Sequence, residues 1–472
     1  MALNTQLAVI GGGPGGYAAA FLAADLGMEV TLIDLEKNPG GVCLYRGCIP
    51  SKALLHVAKL ISEAEEAKKW GVEFGTPKID IEKLRRFKND VVNKLTNGLG
   101  QLSKQRKVNF VQGRAEFINS TSLRVKKNDG TTEEIIFGNA ILATGSVPTK
   151  IPGLSIDSPR VMDSTSALEL NDVPARLLVI GGGYIGLELT SVYAALGSRV
   201  TVVEMTPTLL PGADRDLVTA LSRRLEKKLE KIMLDTKVTS ITEEAGGLKV
   251  KFEGKNVTEP EQMFDKVLIS IGRKPVTAGL GLENTKVKVN QRGFVVVDKQ
   301  LKTDDPNIYA IGDIVGNPML AHKAAAEGKT AVEVIAGHKA AFEPNAIPAV
   351  VFTDPEIAWA GLTETEAKEK NIKVEVAKFP WGANGRATTI DRNEGMTKLL
   401  IEPETERILG VAIVGVGAGD MIAEGTLAIE MGAVVKDLSL TIHPHPTLSE
   451  TMMGAAEVFY GHATDMYRPK RK

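Results

Sequence analysis

Two stretches of this chain are the same pattern written twice. Residues 7–34 read LAVIGGGPGGYAAAFLAADLGMEVTLID, and residues 177–204 read LLVIGGGYIGLELTSVYAALGSRVTVVE. Gly11, Gly13 and Gly16 return as Gly181, Gly183 and Gly186, each 170 positions on, and Asp34 returns as Glu204 without a gap. Each copy predicts a buried strand, a G-x-G-x-x-G turn, an Ala-rich helix and a second strand ending in an acid. The first glycine allows the tight turn, the second lets backbone approach a pyrophosphate, and the third lets helix pack closely on strand. The helix N-terminus supplies N–H groups and a positive dipole end for phosphate, and the acid accepts from ribose hydroxyls. One such turn is a weak signal. Two in full strand–turn–helix–strand context predict that the chain binds two dinucleotides.

Two such sites in one chain suggest a relay between two redox cofactors. In the second copy Glu204 would repel a 2′-phosphate, and MTPTLLPG follows it with no arginine to welcome one. That favours NAD over NADP there.

At 472 residues the chain is long enough for about three domains. With 57 Lys+Arg against 58 Asp+Glu the net charge is −1, which leaves no global field to attract nucleic acid or anionic lipid. Hydrophobic residues at 43% and charged residues at 24% exclude wholesale disorder. No stretch reaches the ~18 apolar residues of a membrane span. The opening MALNTQ runs straight into a strand pattern, so the cytoplasm is the expected compartment. The basic run Arg468, Lys470, Arg471, Lys472 reads as a solvated tail.

The only cysteines, Cys43 and Cys48, lie within GGVCLYRGCIPSKALL. On a regular helix they would rise about 7.5 Å apart, beyond the roughly 4.4–6.8 Å Cα separation of a disulfide. The backbone between them is therefore expected to be irregular, with Gly47 permitting it. Pro50 marks a helix start, so Cys48 should sit where the helix dipole favours a thiolate. Two small core residues or a metal site are the alternatives. A zinc site lacks further ligands, and no metal is expected. In a reducing compartment a close pair of this kind is usually catalytic.

Two of the six histidines, His443 and His445, fall in TIHPHPTLSETMMGAAEVFY. Thr447-Leu448-Ser449-Glu450 fits a capping box at the start of an apolar-periodic helix. Equally, Glu450 behind His445 would orient an imidazole acid–base group, which thiol–disulfide chemistry needs near pH 7. Both readings stay open on sequence alone.

Together with ATGS at 143–146, IGRKP at 271–275, YAIGD at 309–313 and HPHPTLSE at 443–450, these motifs resemble, in order and spacing, the dihydrolipoamide dehydrogenase family of flavin-dependent pyridine-nucleotide disulfide oxidoreductases. The resemblance runs along essentially the whole chain. It implies FAD in the first site through Gly11, Gly13, Gly16 and Asp34, with Asp313 on the ribityl chain. Lys52 would lie by the reactive flavin edge, paired with Glu188. Backbone around Ala115, Gly145, Met319, Leu320, Ala321 and His322 would complete that site. NAD would occupy the second, at Gly181, Gly183, Gly186 and Glu204, with Val238 and Gly272 beside it. Cys43 would be the interchange thiol, Cys48 the flavin-facing one, and His445, oriented by Glu450, the acid–base group serving the other subunit's disulfide. A homodimer with shared active sites follows. Its partners would be lipoyl domains and the core acyltransferase of a 2-oxo acid dehydrogenase complex, or the glycine-cleavage lipoyl protein. Two departures stand out. Tyr184 occupies a position that is often aliphatic and resembles the gating tyrosine of glutathione reductase. Tyr45-Arg46 makes the loop between the cysteines bulkier than usual.

The expected fold is α/β: two Rossmann-like dinucleotide-binding domains for FAD (1–150) and NAD (151–275), a central segment returning to the flavin (276–345), and a C-terminal α+β dimerisation domain (346–472). The charged amphipathic helix near 214–231 reads as a solvated face. An NADPH-dependent glutathione-type or mercuric reductase is the competing enzyme. The lack of arginines after Glu204 and of a C-terminal cysteine pair argues against both. A scaffold docked on a multienzyme core would not require the cysteines, His445 or Glu450.

Overall fold

A computed structural model describes residues 2–467, so the basic run at 468–472 lies outside the described residues. The two halves of the repeat fold as two separate parallel sheets. In the first, strand Leu3–Ile10 lies between Val30–Asp34 and Thr132–Leu142, all parallel. Asn109–Asn119 adds beyond Val30–Asp34, and Ser122–Lys127 joins it antiparallel to Thr132–Leu142. In the second, Arg176–Ile180 lies between Arg199–Val203 and Lys266–Ile269, flanked by Lys231–Met233 and Val161–Met162. Leu7, Ala8, Val9 and Leu177, Leu178, Val179 are wholly buried. That continuous burial is the mark of a parallel strand covered on both faces.

Each glycine turn is imposed by its neighbours. Gly11 and Gly181 have φ of +106° and +108°, and a Cβ on either would stand 2.3 Å from a carbonyl oxygen, of Ala143 or Ser270 respectively. The helices Pro14–Asp25 and Tyr184–Ala195 then start at Gly13 and Gly183, aiming free N–H groups across the strand ends.

The chain crosses between the two units twice. Ser146–Pro148 on the way out pairs antiparallel with Arg273–Pro275 on the way back. The returning segment then gives strand Ile308–Ala310 to the first sheet, beside Thr132–Leu142, and packs helix Ala321–Ile335 against Pro14–Asp25. A third sheet is antiparallel and five-stranded, in the spatial order Ala349–Val351, Glu356–Gly361, Ile408–Gly415, Met396–Ile401, Glu375–Pro380. Helices Ala418–Glu430 and Glu450–Tyr460 cover it, over a core centred on Trp381, whose Nε1 donates to Thr397 Oγ1 at 3.0 Å.

One sequence expectation holds only in part. The helix Arg215–Lys228 keeps a solvated face, with Arg223, Glu226 and Lys227 exposed, but part of its polar surface is docked. Leu217, Val218, Leu221 and Leu225 are buried, and Arg224 donates to Asp354 Oδ2 at 2.6 Å and to Glu66 Oε1 at 2.5 Å. Arg224 thus meets an acid of the first unit and one that follows strand Ala349–Val351, while the outer charges of the helix meet water. At its N-terminus Lys398, wholly buried, donates to Asp214 Oδ2 (2.6 Å), Asp216 Oδ1 (2.9 Å) and Glu364 Oε1 (2.7 Å). These three carboxylates stand close enough to ligate a cation, and the ammonium supplies the positive charge they need.

Candidate active site

The turn at Gly11–Gly16 opens onto a cavity of about 350 Å³. Gly11, Gly13, Asp34, Lys52, Ala115, Gly145, Asp313, Met319 and Ala321 line it, as do Cys43, Cys48, Glu188 and Tyr184. Gly16 lies beneath the turn, where a Cβ would stand 1.8 Å from Gly11 O. Leu320 and His322 are not among the lining residues, and the His322 imidazole turns away to donate from Nε2 to Pro348 O at 2.7 Å.

The cradle fits a flavin dinucleotide. At Gly41, with φ +57°, a Cβ would come within 2.5 Å of Gly13 Cα, so two backbones close on one another where a pyrophosphate must pass. Asp34 Oδ2 accepts from Gly12 N at 2.5 Å and Oδ1 from Glu36 N at 2.8 Å, which fixes the carboxylate at the strand end. Burial pushes its pKa up, against the lowering effect of the Gly12 N–H, Arg46 and the Leu35 N–H. Farther along, Ser146 Oγ donates to Asp313 Oδ2 at 2.5 Å.

The cysteines sit on the cavity wall. Cys43 lies within the short helix Gly41–Arg46, and Cys48 is the first residue of the helix Cys48–Glu66. The expected irregularity is confined to Gly47, at φ −141° and ψ −116°, between the two helices. Both are free thiols. A hydrogen bond from Cys43 is the largest influence on Cys48; burial opposes it, Lys52 adds attraction, and the Cys48 pKa is lowered to about 7. The same bond, with burial, pushes Cys43 up. The pair therefore keeps one proton on Cys43 and the negative charge on Cys48. Tyr45 and Arg46 turn away from the cysteines: the Tyr45 hydroxyl donates to Asn38 O at 3.1 Å, and Arg46 pairs with Glu36.

One turn along that helix, Lys52 Nζ donates to Glu188 Oε2 at 2.8 Å, and Ser51 Oγ donates to the same oxygen at 3.1 Å. Glu188 comes from the helix Tyr184–Ala195 of the second unit, and its side chain is only 5% exposed.

The second turn repeats the first. Glu204 Oε2 accepts from Gly182 N at 2.7 Å and Oε1 from Thr206 N at 2.8 Å. Gly183 has nothing within 4 Å of a built Cβ, so its backbone is open to a ligand. Gly186 packs on Gly181 O, 2.3 Å from a built Cβ. The next arginine, Arg215, is spent on the carbonyls of Leu209 and Leu210 at 3.0 and 2.7 Å. Val238 is buried in strand Thr236–Glu244, and Gly272, at φ +115°, accepts from Thr149 N at 3.0 Å. These residues fit a dinucleotide without a 2′-phosphate.

At the far end of the chain, His445 Nδ1 donates to Glu450 Oε1 at 2.9 Å, while Glu450 Oε2 accepts from Thr447 N at 2.8 Å. The capping box expected at Thr447 does not form, because the helix begins at Glu450 after Ser449 and the Thr447 hydroxyl donates to Pro444 O instead; Glu450 holds the Thr447 amide and the His445 imidazole, one with each oxygen. Burial would raise the Glu450 pKa, but Thr447 N–H and His445 hold it below the usual carboxylate range. The His445 side chain is 77% exposed and is not among the residues lining the cavity.

A family model described as pyridine nucleotide-disulphide oxidoreductase matches residues 5–328, and the dimerisation-domain model of that family matches 347–456. The chain belongs to the pyridine nucleotide-disulphide oxidoreductases. Dihydrolipoyl dehydrogenase of Vibrio cholerae is 49% identical over 470 residues, covering 100% of this chain and 98% of the relative. That of Geobacillus stearothermophilus is 45% identical over 460 residues, covering 98% and 97%. Among solved structures, LpdA of Mycobacterium tuberculosis superposes with a TM-score of 0.89 at 27% identity, over 96% of this chain and 99% of that one. The flavoprotein disulfide reductase RclA of Escherichia coli superposes at 0.85 with 30% identity, over 96% and 99%. FAD and NAD are the cofactors of such an oxidoreductase.

Two residues of this oxidoreductase's site escaped the sequence reading. Arg273 donates from Nε to Ser146 Oγ (2.7 Å) and from Nη2 to Ser146 O (2.6 Å), bracing the serine that holds Asp313. It sat in view in IGRKP, where its charge beside a glycine was the available signal. Phe352 N donates to Glu188 Oε1 at 3.1 Å, and its ring centroid lies 4.4 Å from Lys52 Nζ. A phenylalanine just past strand Ala349–Val351 carries no local pattern that points to a lysine 300 residues earlier.

Proposed function

We propose that this chain oxidises protein-bound dihydrolipoyl groups to the lipoyl disulfide, passing electrons through Cys43–Cys48 and FAD to NAD. The observation that carries the reading is the cysteine pair on the wall of the first dinucleotide cavity, with its charge biased to Cys48 beside Lys52 and Glu188. Full-length identity of 49% to a dihydrolipoyl dehydrogenase supports the substrate.

His445 Nε2 takes the proton of one substrate thiol, with Glu450 fixing the tautomer and steadying the imidazolium. The substrate thiolate attacks Cys43 of the oxidised pair; a substrate–Cys43 bond forms, the Cys43–Cys48 bond breaks, and Cys48 leaves as thiolate. The second substrate thiol attacks the first substrate sulfur, and the substrate–Cys43 bond breaks. The proton of that second thiol passes to the leaving Cys43 sulfur as the cyclic disulfide departs, and the first proton stays on His445. Lys52 holds the Cys48 charge in place, and Glu188 holds Lys52. Bound in the cavity, FAD supplies a ring that exchanges electrons with thiolate and hydride with nicotinamide.

The division into units at 1–150, 151–275, 276–345 and 346–472 belongs to this reading. The return of Ile308–Ala310 to the first sheet supports it. So does a homodimer in which His445 serves the partner's cysteines: the dimerisation-domain match, the exposure of His445, and apolar Leu440 (69%) and Ile442 (94%) on its segment favour it. The partners would be lipoyl domains and the acyltransferase core of a 2-oxo acid dehydrogenase complex, or a glycine-cleavage lipoyl protein, in a cytoplasm that keeps dithiols reduced. Among the described residues no helix is long and apolar enough to cross a membrane.

The test is NAD reduction by dihydrolipoamide, with NADP in parallel and Cys48→Ser as control. Rapid NAD reduction, slow NADP reduction and a flavin-loaded but inert Cys48→Ser protein are expected. Turnover only with glutathione disulfide and NADPH would overturn the assignment.

A further inference from the structure

The segment that carries His445 has no regular structure between helices Val435–Leu440 and Glu450–Tyr460. Leu440, Thr441, Ile442, Pro444, His445 and Pro446 are all exposed. The exception is His443, whose side chain is 4% exposed. Its Nδ1 lies 2.9 Å from Thr441 O, and its Nε2 lies 2.8 Å from Glu424 Oε1, on helix Ala418–Glu430. A carbonyl only accepts, so Nδ1 carries a proton; the other nitrogen meets a carboxylate. The imidazole thus ties the segment to itself and to a helix of the third sheet, two residues before His445. The carboxylates beside it are Glu424, which meets Nε2, and Glu450, whose carboxyl it helps to hold low.

We propose that His443, held by Glu424, is a positioning residue for the acid–base histidine. Resting on the proposed function, it fixes where His445 Nε2 presents itself to substrate thiol. Glu450 orients the His445 ring, but among residues 440–446 only the His443 side chain is buried to hold the backbone that carries it, and a displacement of about 1 Å at such a group costs up to roughly 100-fold in rate.

The experiment compares wild type, His443→Phe, Glu424→Ala and Glu424→Gln as flavin-loaded full-length protein. Three readouts are taken: dihydrolipoamide–NAD turnover against pH, dye reduction by NADH (which bypasses the thiols), and amide hydrogen exchange over residues 440–446. Both His443→Phe and Glu424→Ala should lose roughly 10- to 100-fold in dithiol turnover, with a displaced acidic limb, faster exchange and unchanged dye reduction. Glu424→Gln keeps an acceptor for Nε2 and should stay within about threefold of wild type. Unchanged turnover and exchange in His443→Phe overturns the proposal, as does an equal loss of dye reduction, which would mark general damage. If wild type itself fails with dihydrolipoamide, the substrate reading fails, and exchange alone decides: unaltered protection in His443→Phe then refutes the positioning role.

Discussion

Replacing Lys52 by methionine tests the electrostatics of the cysteine pair directly. In the reduced protein the Cys48 pKa is lowered to about 7, first by the Cys43 hydrogen bond, against burial and with help from Lys52; Glu188 pushes the other way. Lys52→Met removes the attraction and strands a carboxylate that is 5% exposed, so both changes raise Cys48. A neighbouring charge is worth about 1–3 pKa units. Because the Lys52 side chain is 32% exposed, solvent screening puts the change near the lower end. A rise of about one unit takes Cys48 at pH 7 from about half thiolate to about a tenth. Glu188→Gln is the opposing perturbation: it removes the repulsion and should move the midpoint down. The assay is the rate of Cys48 alkylation in the reduced protein from about pH 5 to about pH 9, read by mass spectrometry of the Cys48 peptide. Midpoints that stay put in both variants, or move the same way, would refute the charge argument and leave the Cys43 hydrogen bond as the sole cause.

Other expectations concern the frame around that site. Lys398→Met leaves Asp214, Asp216 and Glu364 facing each other with Lys378 and the exposed Arg215 to offset them, which should cost about 3–5 kcal/mol in a urea titration. A change of under about 0.5 kcal/mol, the scale of a surface substitution, would show that the cluster is solvated. Burial would raise Asp214, Asp216 and Asp354, but Lys398, Lys378, Arg224 and Arg392 hold all three below the ordinary range. A depressed carboxyl contributes its stability in full above its unfolded value, about 3.9, and loses it only as pH falls through the lower folded value. The third sheet should therefore stay docked to about pH 4 or below; tryptophan fluorescence showing release well above that would contradict the sign. Gly41→Ala puts a methyl 2.5 Å from Gly13 Cα at φ +57°, so the purified variant should retain much less FAD per chain. Full flavin loading would disprove the close approach.

The parts of this fold that were legible in sequence are those whose physics is local. Gly11 and Gly181 meet a carbonyl at the same 2.3 Å because each precedes the same strand crossing, and that requirement prints itself as glycine at a fixed position. Asp34 and Glu204 each grip the amide one residue past the first glycine, so the acid at the strand end is equally readable. The cysteine pair and its helix start are visible for the same reason. By contrast the helix Arg215–Lys228 has the polar face of any surface helix. Only the arrival of Asp354, 130 residues after Arg224, and of Glu66, 158 residues before it, turns the Arg224 edge of that face into a junction. No periodicity within 14 residues distinguishes a charge that meets water from one that meets a distant acid.

Glu188 shows why this matters for the chemistry as well as for the fold. Its carboxylate is shared among Ser51 and Lys52 of the first unit and the Phe352 amide at the third sheet, while Glu188 itself belongs to the second. The thiolate on Cys48 is thus tuned by residues from every unit, and the tuning exists only when all of them are docked. A shift of the third sheet that moved Phe352 would free Glu188 Oε1 and uncover the Lys52 ammonium, and Cys48 would register the change although neither cysteine had moved. The motif locates the sulfur atoms; the packing of three sheets against one glutamate sets their charge.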